Sequence, residues 1–214
     1  MALKHKFYVV KDEVCVELEE KKSKFLGFTK SLRSEQEVKA YLSVLSNTFH
    51  DATHICYAFV LGQQYSISKS NDNGEPAGTA GLPILSAIKK ANLTNTLVAV
   101  VRYYGGKPLG ANGLTRIYNK TASKALEKAG KYVMIECAVY ECRFTYSDFA
   151  LVAKYFREND YPILKQDYSD VIRVECAFPV ELEQKVFSDI QTIIGSRFIN
   201  NKLRNSYFRF NKEM

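Results

Sequence analysis

No apolar run in this 214-residue chain is long enough to span a bilayer, and its start, MALKHKFYVVKDEV, has no apolar core followed by a small-residue cleavage site. A membrane-spanning role and a secretory signal are therefore not expected, and the location expected is the cytoplasm. Cysteine is scarce: Cys15, Cys56, Cys137, Cys142 and Cys176 are odd in number, scattered, and never spaced as Cys-x-x-Cys. Each sits among apolar or strand-like neighbours, which points to buried free thiols rather than disulfides or zinc ligands. There is no Gly-x-x-x-x-Gly-Lys-Ser/Thr and no Gly-x-Gly-x-x-Gly, so ATP and dinucleotide binding lack support. His50, Asp51 and His54 could join Asp72 and Glu75 around a metal, but His-Asp-x-x-x-His matches no known ligand spacing. No cysteine stands out as a nucleophile, and no repeat or low-complexity stretch is visible. The expectation is a non-enzymatic globular protein with no cofactor and no metal.

What the chain does have is glycine, concentrated in one place. Seven of its eleven glycines (Gly74, Gly78, Gly81, Gly105, Gly106, Gly110, Gly113) lie between Asn71 and Arg116. They form two loops around apolar segments, the second leading from Leu97–Val101 into a helical pattern. A strand, a glycine loop and a helix in that order commonly present backbone N–H groups to a ligand. Charge is concentrated too. Residues 1–131 hold 19 Lys/Arg against 11 Asp/Glu, whereas residues 132–214 hold 11 against 12. From Gly81 to Lys131 there are nine cations and one acid, Glu127. Arg116, Lys120, Lys124 and Lys128 recur every fourth residue along a helix expected over Leu114–Ala129, where like charges cost a few tenths of a kcal/mol per pair. A polyanion, RNA foremost, is the expected partner. The residues assigned to it are Lys89, Lys90, Arg102, Tyr104, Lys107, Arg116, Lys120 and Lys124. Alternation leaves at most one of Tyr103 and Tyr104 free to stack on a base. The alternative reading is a solubilising surface.

Periodicity gives a strand over Phe7–Leu18, a hairpin turn at Glu19–Lys22 and a strand over Ser23–Thr29. Ser34 and Glu37 form a capping-box pattern for a helix to about Asn47. His54–Leu61 is a strand, Gly62–Asn73 a polar loop, Leu82–Ala91 a helix and Leu97–Tyr104 a central strand. After Gly130 closes the long helix the pattern changes to strand, helix, strand, strand, helix, strand, the first of these helices capped by Ser147 and the second running Glu181–Ile194. That order is ferredoxin-like. Two domains are expected, 1–131 and 132–214.

The stretches DATHICYAF (Asp51–Phe59), NDNGEPAGTAG (Asn71–Gly81) and VAVVRYYGGKPLGANGLTRIY (Val98–Tyr118) closely resemble the motifs of the Impact/YigZ family, across essentially the whole chain. The motif residues are His54, Asp72, Gly74, Glu75, Pro76, Gly78, Gly81, Arg102, Gly105, Gly106, Gly110 and Gly113. The chain departs from the commonest pattern in having Asn73 for aspartate, Asn112 for glycine and Pro108 where lysine is usual. Asparagine tolerates positive φ, which keeps the loop shape. The resemblance implies an α+β protein. Its N-terminal domain would be like the second domain of a ribosomal small-subunit protein and domain IV of elongation factor G, and its ferredoxin-like C-terminal domain like domain V of that factor. It implies association with RNA, the ribosome or another part of the translation machinery, with a role in translation. The rival reading is a protein-interaction module, as in the eukaryotic relatives. A hydrolase or transferase using His54, Asp72 and Glu75 comes third. In a purely structural reading, Asp72 or Glu75 pairs with Arg102 or caps the helix at 82–91.

Overall fold

A computed structural model describes residues 5–63, 65–195 and 198–210. The chain is α+β and divides into two compact units. One is Phe7–Tyr132; the other begins at Val133 and takes in the segment ending at Lys6. Among the described residues no helix is long and apolar enough to cross a membrane.

After a short strand β1 (Lys6–Val10), the first unit builds one antiparallel sheet from β2 (Cys15–Glu20), β3 (Ser23–Ser31), β4 (His54–Leu61), β5 (Ile67–Asn71) and β6 (Thr96–Tyr103), in the order β2-β3-β6-β4-β5. Its helices are α1 (Glu35–Thr48), α2 (Gly81–Lys90) and α3 (Gly110–Ala129). The continuous apolar run of β6 is explained by burial on both faces. Leu97 and Ala99 pack with Val38 and Leu45 of α1, whereas Val98 and Val100 pack with Ile84 and Ile88 of α2 and Ile117 and Ala122 of α3. Helix α3 can approach β3 because Gly27 has no side chain: a Cβ there would lie 2.8 Å from Thr121 Cγ2. Ser34 caps α1 as its sequence pattern indicates, accepting from the Glu37 N–H at 3.2 Å, and Glu37 returns a bond to the Arg33 N–H. The β2–β3 hairpin turns on Lys21 and Lys22 with φ of 47° and 68°, the two positive angles of a twist-matched turn.

Three local expectations are corrected here. Phe7–Leu18 is two strands, because the Lys11 and Asp12 N–H groups leave the sheet to bond the carbonyls of Gly130 and Ala129. The polar loop expected over Gly62–Asn73 contains β5, an edge strand paired only with β4, whose mixed polar sequence hides it. Helix α3 starts at Gly110 rather than Leu114, so Gly110, Asn112 and Gly113 belong to its first turn and Asn112 has no positive φ; Asn73 does, at 42°.

The second unit runs β7 (Lys131–Phe144), α4 (Tyr146–Glu158), β8 (Ile163–Tyr168), β9 (Ile172–Pro179), α5 (Glu183–Ile194) and β10 (Ile199–Phe210). Its strands stand in the order β10-β7-β9-β8, each neighbouring pair antiparallel. Tyr140, Cys142 and Phe144 of β7 and Val174, Cys176 and Phe178 of β9 meet Val152 and Phe156 of α4 and Val186 and Ile190 of α5 in one core. Thr145, not Ser147, caps α4, its hydroxyl accepting from the Asp148 N–H at 3.2 Å. A 3-10 turn at Val180–Leu182 delays α5 by two residues from its expected start. Four cysteines are buried free thiols; Cys15, on the edge strand β2, is exposed instead.

Candidate ligand cleft and basic groove

The first glycine loop is folded around Asp72. Its carboxylate accepts from the N–H groups of Gly78 (2.8 Å), Ala80 (2.9 Å) and Gly81 (2.8 Å), and so caps α2, which has no cap from its own N-cap residue. Burial alone raises the pKa of a carboxyl group, but the three N–H groups outweigh it and hold that of Asp72 below its ordinary value. Gly81 is required by a close approach: a Cβ would sit 2.7 Å from the Asn71 backbone nitrogen.

Glu75 turns the other way, into the sheet. Its carboxylate is buried, accepts from Arg102 Nη1, and takes a second bond from the Tyr118 hydroxyl at 2.7 Å. Arg102 is 5% exposed, and its guanidinium lies 5.4 Å from the Phe25 ring centre and 5.3 Å from that of Tyr104. Cys56 Sγ is 2.9 Å from the Asp72 carbonyl and 3.4 Å from the Tyr118 hydroxyl. Burial pushes the Cys56 thiol up to about 12, too high to supply a thiolate at neutral pH, and pushes the Tyr118 hydroxyl far above its ordinary range. Both structural roles weighed for the two acids are thus present together: Glu75 pairs with Arg102, and Asp72 caps the helix.

The β4–β6 register sets His54 opposite Arg102. His54 Nδ1 lies 3.0 Å from the Asn73 carbonyl, which can only accept, so Nδ1 carries the hydrogen and Nε2 is left over. Thr53 Oγ1 receives the Tyr104 N–H and Ser23 Oγ the Gly105 N–H. Gly105 is needed there because a Cβ would lie 2.1 Å from the Lys22 carbonyl carbon. The two loops and the start of α3 enclose a cleft of about 400 Å³, lined by His54, Glu75, Arg102, Tyr104, Gly110 and Ala111 among others. Among the described residues no group of three or more His, Cys, Asp or Glu side chains could hold a metal ion.

The basic residues lie elsewhere. Lys89, Lys90, Lys107, Lys120 and Lys124 are exposed and make no ion pair with another described residue. Arg116 is exposed and 3.1 Å from Glu20. Between α2 and α3 two adjoining hollows of about 770 and 450 Å³ share Ser123. Arg116 and Lys120 line the first, Lys90 and Lys131 the second. Arg102 does not join this exposed set, because the centre of the sheet and Glu75 enclose it. Tyr104 is the exposed member of its tyrosine pair; Tyr103 is half-buried, its hydroxyl 2.9 Å from Asp51. One member of the cluster, Tyr118, is not among the candidate site residues of the sequence; Cys56 is expected there only as a buried thiol, which it is. A tyrosine among the alanines of α3's buried face was the available signal.

Fold and site define a two-unit α+β protein whose motif residues build a buried ion-pair cluster beside an open cleft, with the basic groove on the neighbouring helices. The profile described as the Impact N-terminal domain matches residues 21–126. The IMPACT family member YvyE of Bacillus subtilis is 34% identical over 191 residues, covering 88% of this chain and 86% of YvyE. The IMPACT family member YigZ of Escherichia coli is 30% identical over 171 residues, covering 78% and 82%. A crystal structure described as that of a hypothetical protein matches with a TM-score of 0.60 at 25% identity, over 94% of this chain and 99% of its own. The chain belongs to the IMPACT family.

Proposed function

We propose that this protein is a non-enzymatic RNA-binding or ribosome-associated protein acting in translation, and that the α2–α3 groove is its contact surface. The observation that carries this reading is the set of exposed lysines with no ion pair to another described residue, Lys90 and Lys120 lining the two adjoining hollows and Lys89 and Lys124 next to lining residues on the same helices. Mobile cations along a groove neutralise phosphates without reading sequence, so affinity falls steeply with salt. Lys107 and Arg116 extend the set, and Tyr104 offers an exposed ring for stacking. The strand order of the second unit supports a ferredoxin-like fold. With the likeness to ribosomal and elongation-factor domains that the family resemblance implies, it points towards the translation machinery, an argument from fold alone. Burial holds the Cys56 thiol at about 12, so this cysteine supplies no nucleophile at neutral pH.

Replacing both Lys120 and Lys124 with alanine in the full chain, and titrating a short unstructured RNA at several salt concentrations, tests the reading. The slope of log K against log[salt] is expected to fall by roughly one to two units, since each phosphate contact on a single strand contributes about 0.7. The helix should be no less stable, because like charges at four-residue spacing are removed. Unchanged affinity and slope would sink the RNA reading and favour a protein partner for the groove.

A further inference from the structure

Arg102, which lines the motif cleft, carries donors that no described residue satisfies. Glu75 engages Nη1 of Arg102, and among the described residues neither of the other two guanidinium nitrogens has an acceptor. Nε is fully buried without a partner. A donor buried in that state carries the whole cost of its lost hydration. The unused Nε–Nη2 edge is the edge that receives a two-oxygen acceptor in fork-on geometry. The cleft that Arg102 lines is also lined by Gly110 and Ala111 at the start of α3. This 20-residue helix has no side-chain cap, unlike α1, α2 and α4, which Ser34, Asp72 and Thr145 serve. The residues that carry its first N–H groups and the positive end of its dipole therefore border the cleft. His54 lines the cleft as well, its ring fixed by the bond from Nδ1.

We propose that this cleft is a binding site for a single terminal phosphate group, a phosphate monoester. Its oxygens are held by the Nε–Nη2 edge of Arg102 on one side and by the N–H groups at the start of α3 on the other. A tetrahedral, multiply charged head uses donors arriving from two directions, whereas a planar carboxylate is satisfied by the Arg102 edge alone. Tyr104, 48% exposed with its ring over the guanidinium, is the cover that tilts to admit the group. Lys107 stands exposed in the loop just before α3 and adds attraction at the mouth. The phosphate can belong to a free mononucleotide or to the 5′ end of an RNA strand. The second case rests on the RNA reading of the groove; the first does not.

The test compares adenosine with adenosine 5′-monophosphate, and a short RNA carrying a 5′-phosphate with the same RNA ending in a 5′-hydroxyl. Binding to the full chain is measured by calorimetry. The key variant is Ala111→Asp. Ala111 is exposed, and an acid in the first turn of a helix stabilises it while occupying the same N–H groups electrostatically. The variant should therefore fold at least as stably as the parent. It should bind the monophosphate at least about tenfold more weakly, and should lose the preference for 5′-phosphorylated RNA. Its binding of 5′-hydroxyl RNA should change little, because the groove lysines are untouched. Lys120→Ala/Lys124→Ala should do the reverse, which separates failure of this site from failure of the groove. Equal binding of mononucleotide and phosphorylated RNA identifies the free ligand; preference for the RNA alone identifies the strand end. The proposal is overturned if neither phosphorylated probe outbinds its unphosphorylated partner, if Ala111→Asp leaves the preference intact, or if acetate displaces the monophosphate at matched concentration.

Discussion

Replacing Glu75 with methionine removes the carboxylate that pairs with the Arg102 guanidinium. The side chains are 2% and 6% exposed, so water cannot take over the role. Breaking a buried pair by deleting one partner costs about 3–5 kcal/mol, since an uncompensated charge remains. The Tyr118 hydroxyl also loses its acceptor, but it lies 3.4 Å from Cys56 Sγ and can turn to that partner, which limits the added loss. Domain stability is about 5–15 kcal/mol in total. With a urea dependence of about 2 kcal/mol per molar, the unfolding midpoint of the first unit should fall by roughly 1.5–2.5 M. Replacing both Glu75 and Arg102 with methionine should recover most of that loss, because an apolar pair of similar volume leaves no orphaned charge. The assay is urea unfolding followed by circular dichroism. Amide exchange on β6 identifies which transition belongs to the first unit, as two compact units need not unfold as one. A single Glu75→Met variant within about 1 kcal/mol of the parent would refute the reasoning, because it would mean that Arg102 is effectively solvated.

Asp72→Asn should cost about 1–2 kcal/mol at neutral pH through weakened capping. The native state holds the Asp72 carboxyl below its ordinary pKa, so its contribution is complete above the unfolded value and disappears as pH falls through the folded one. Parent and variant stabilities measured by urea titration should therefore converge in strong acid; a constant gap would contradict the capping role. Ellman's reagent should modify one thiol of five in the native protein, Cys15, and all five in denaturant. The native reaction should be slow at neutral pH and accelerate as pH rises, since burial raises the pKa of the Cys15 thiol too; a second fast-reacting thiol would count against the packing of Cys56 and Cys137, each held at about 12.

What the sequence made legible was what depends on neighbours along the chain. The Ser34–Glu37 pattern, the unbroken apolar run of β6 and the four-residue cation spacing of α3 each follow from local periodicity, and each has its structural counterpart. What it concealed depends on partners far away. Edge strand β5 takes its conformation from β4 rather than from its own residues, Ile67-Ser68-Lys69-Ser70-Asn71. Arg102 reads both as one more cation beside Lys107 and Arg116 and as a partner for Asp72 or Glu75, and only the β4–β6 register and the bond to Glu75 decide between them. The exposure of Cys15 follows from the edge position of β2, which no pattern within the strand reveals.

The Asp72 and Glu75 carboxylates, three residues apart, mature on different schedules. Asp72 finds its donors six to nine residues along the chain, so its cap can close as soon as α2 begins to form. Glu75 waits for donors 27 and 43 residues away, on β6 and α3. During synthesis, then, Glu75 stays hydrated until Tyr118 has left the ribosome, and its dehydration marks the moment when loop, sheet and long helix first coexist. Until that moment the cleft has no floor. The polypeptide cannot form the cleft before its first unit is complete, and a chain stopped short of α3 displays the first glycine loop without the helix that completes it.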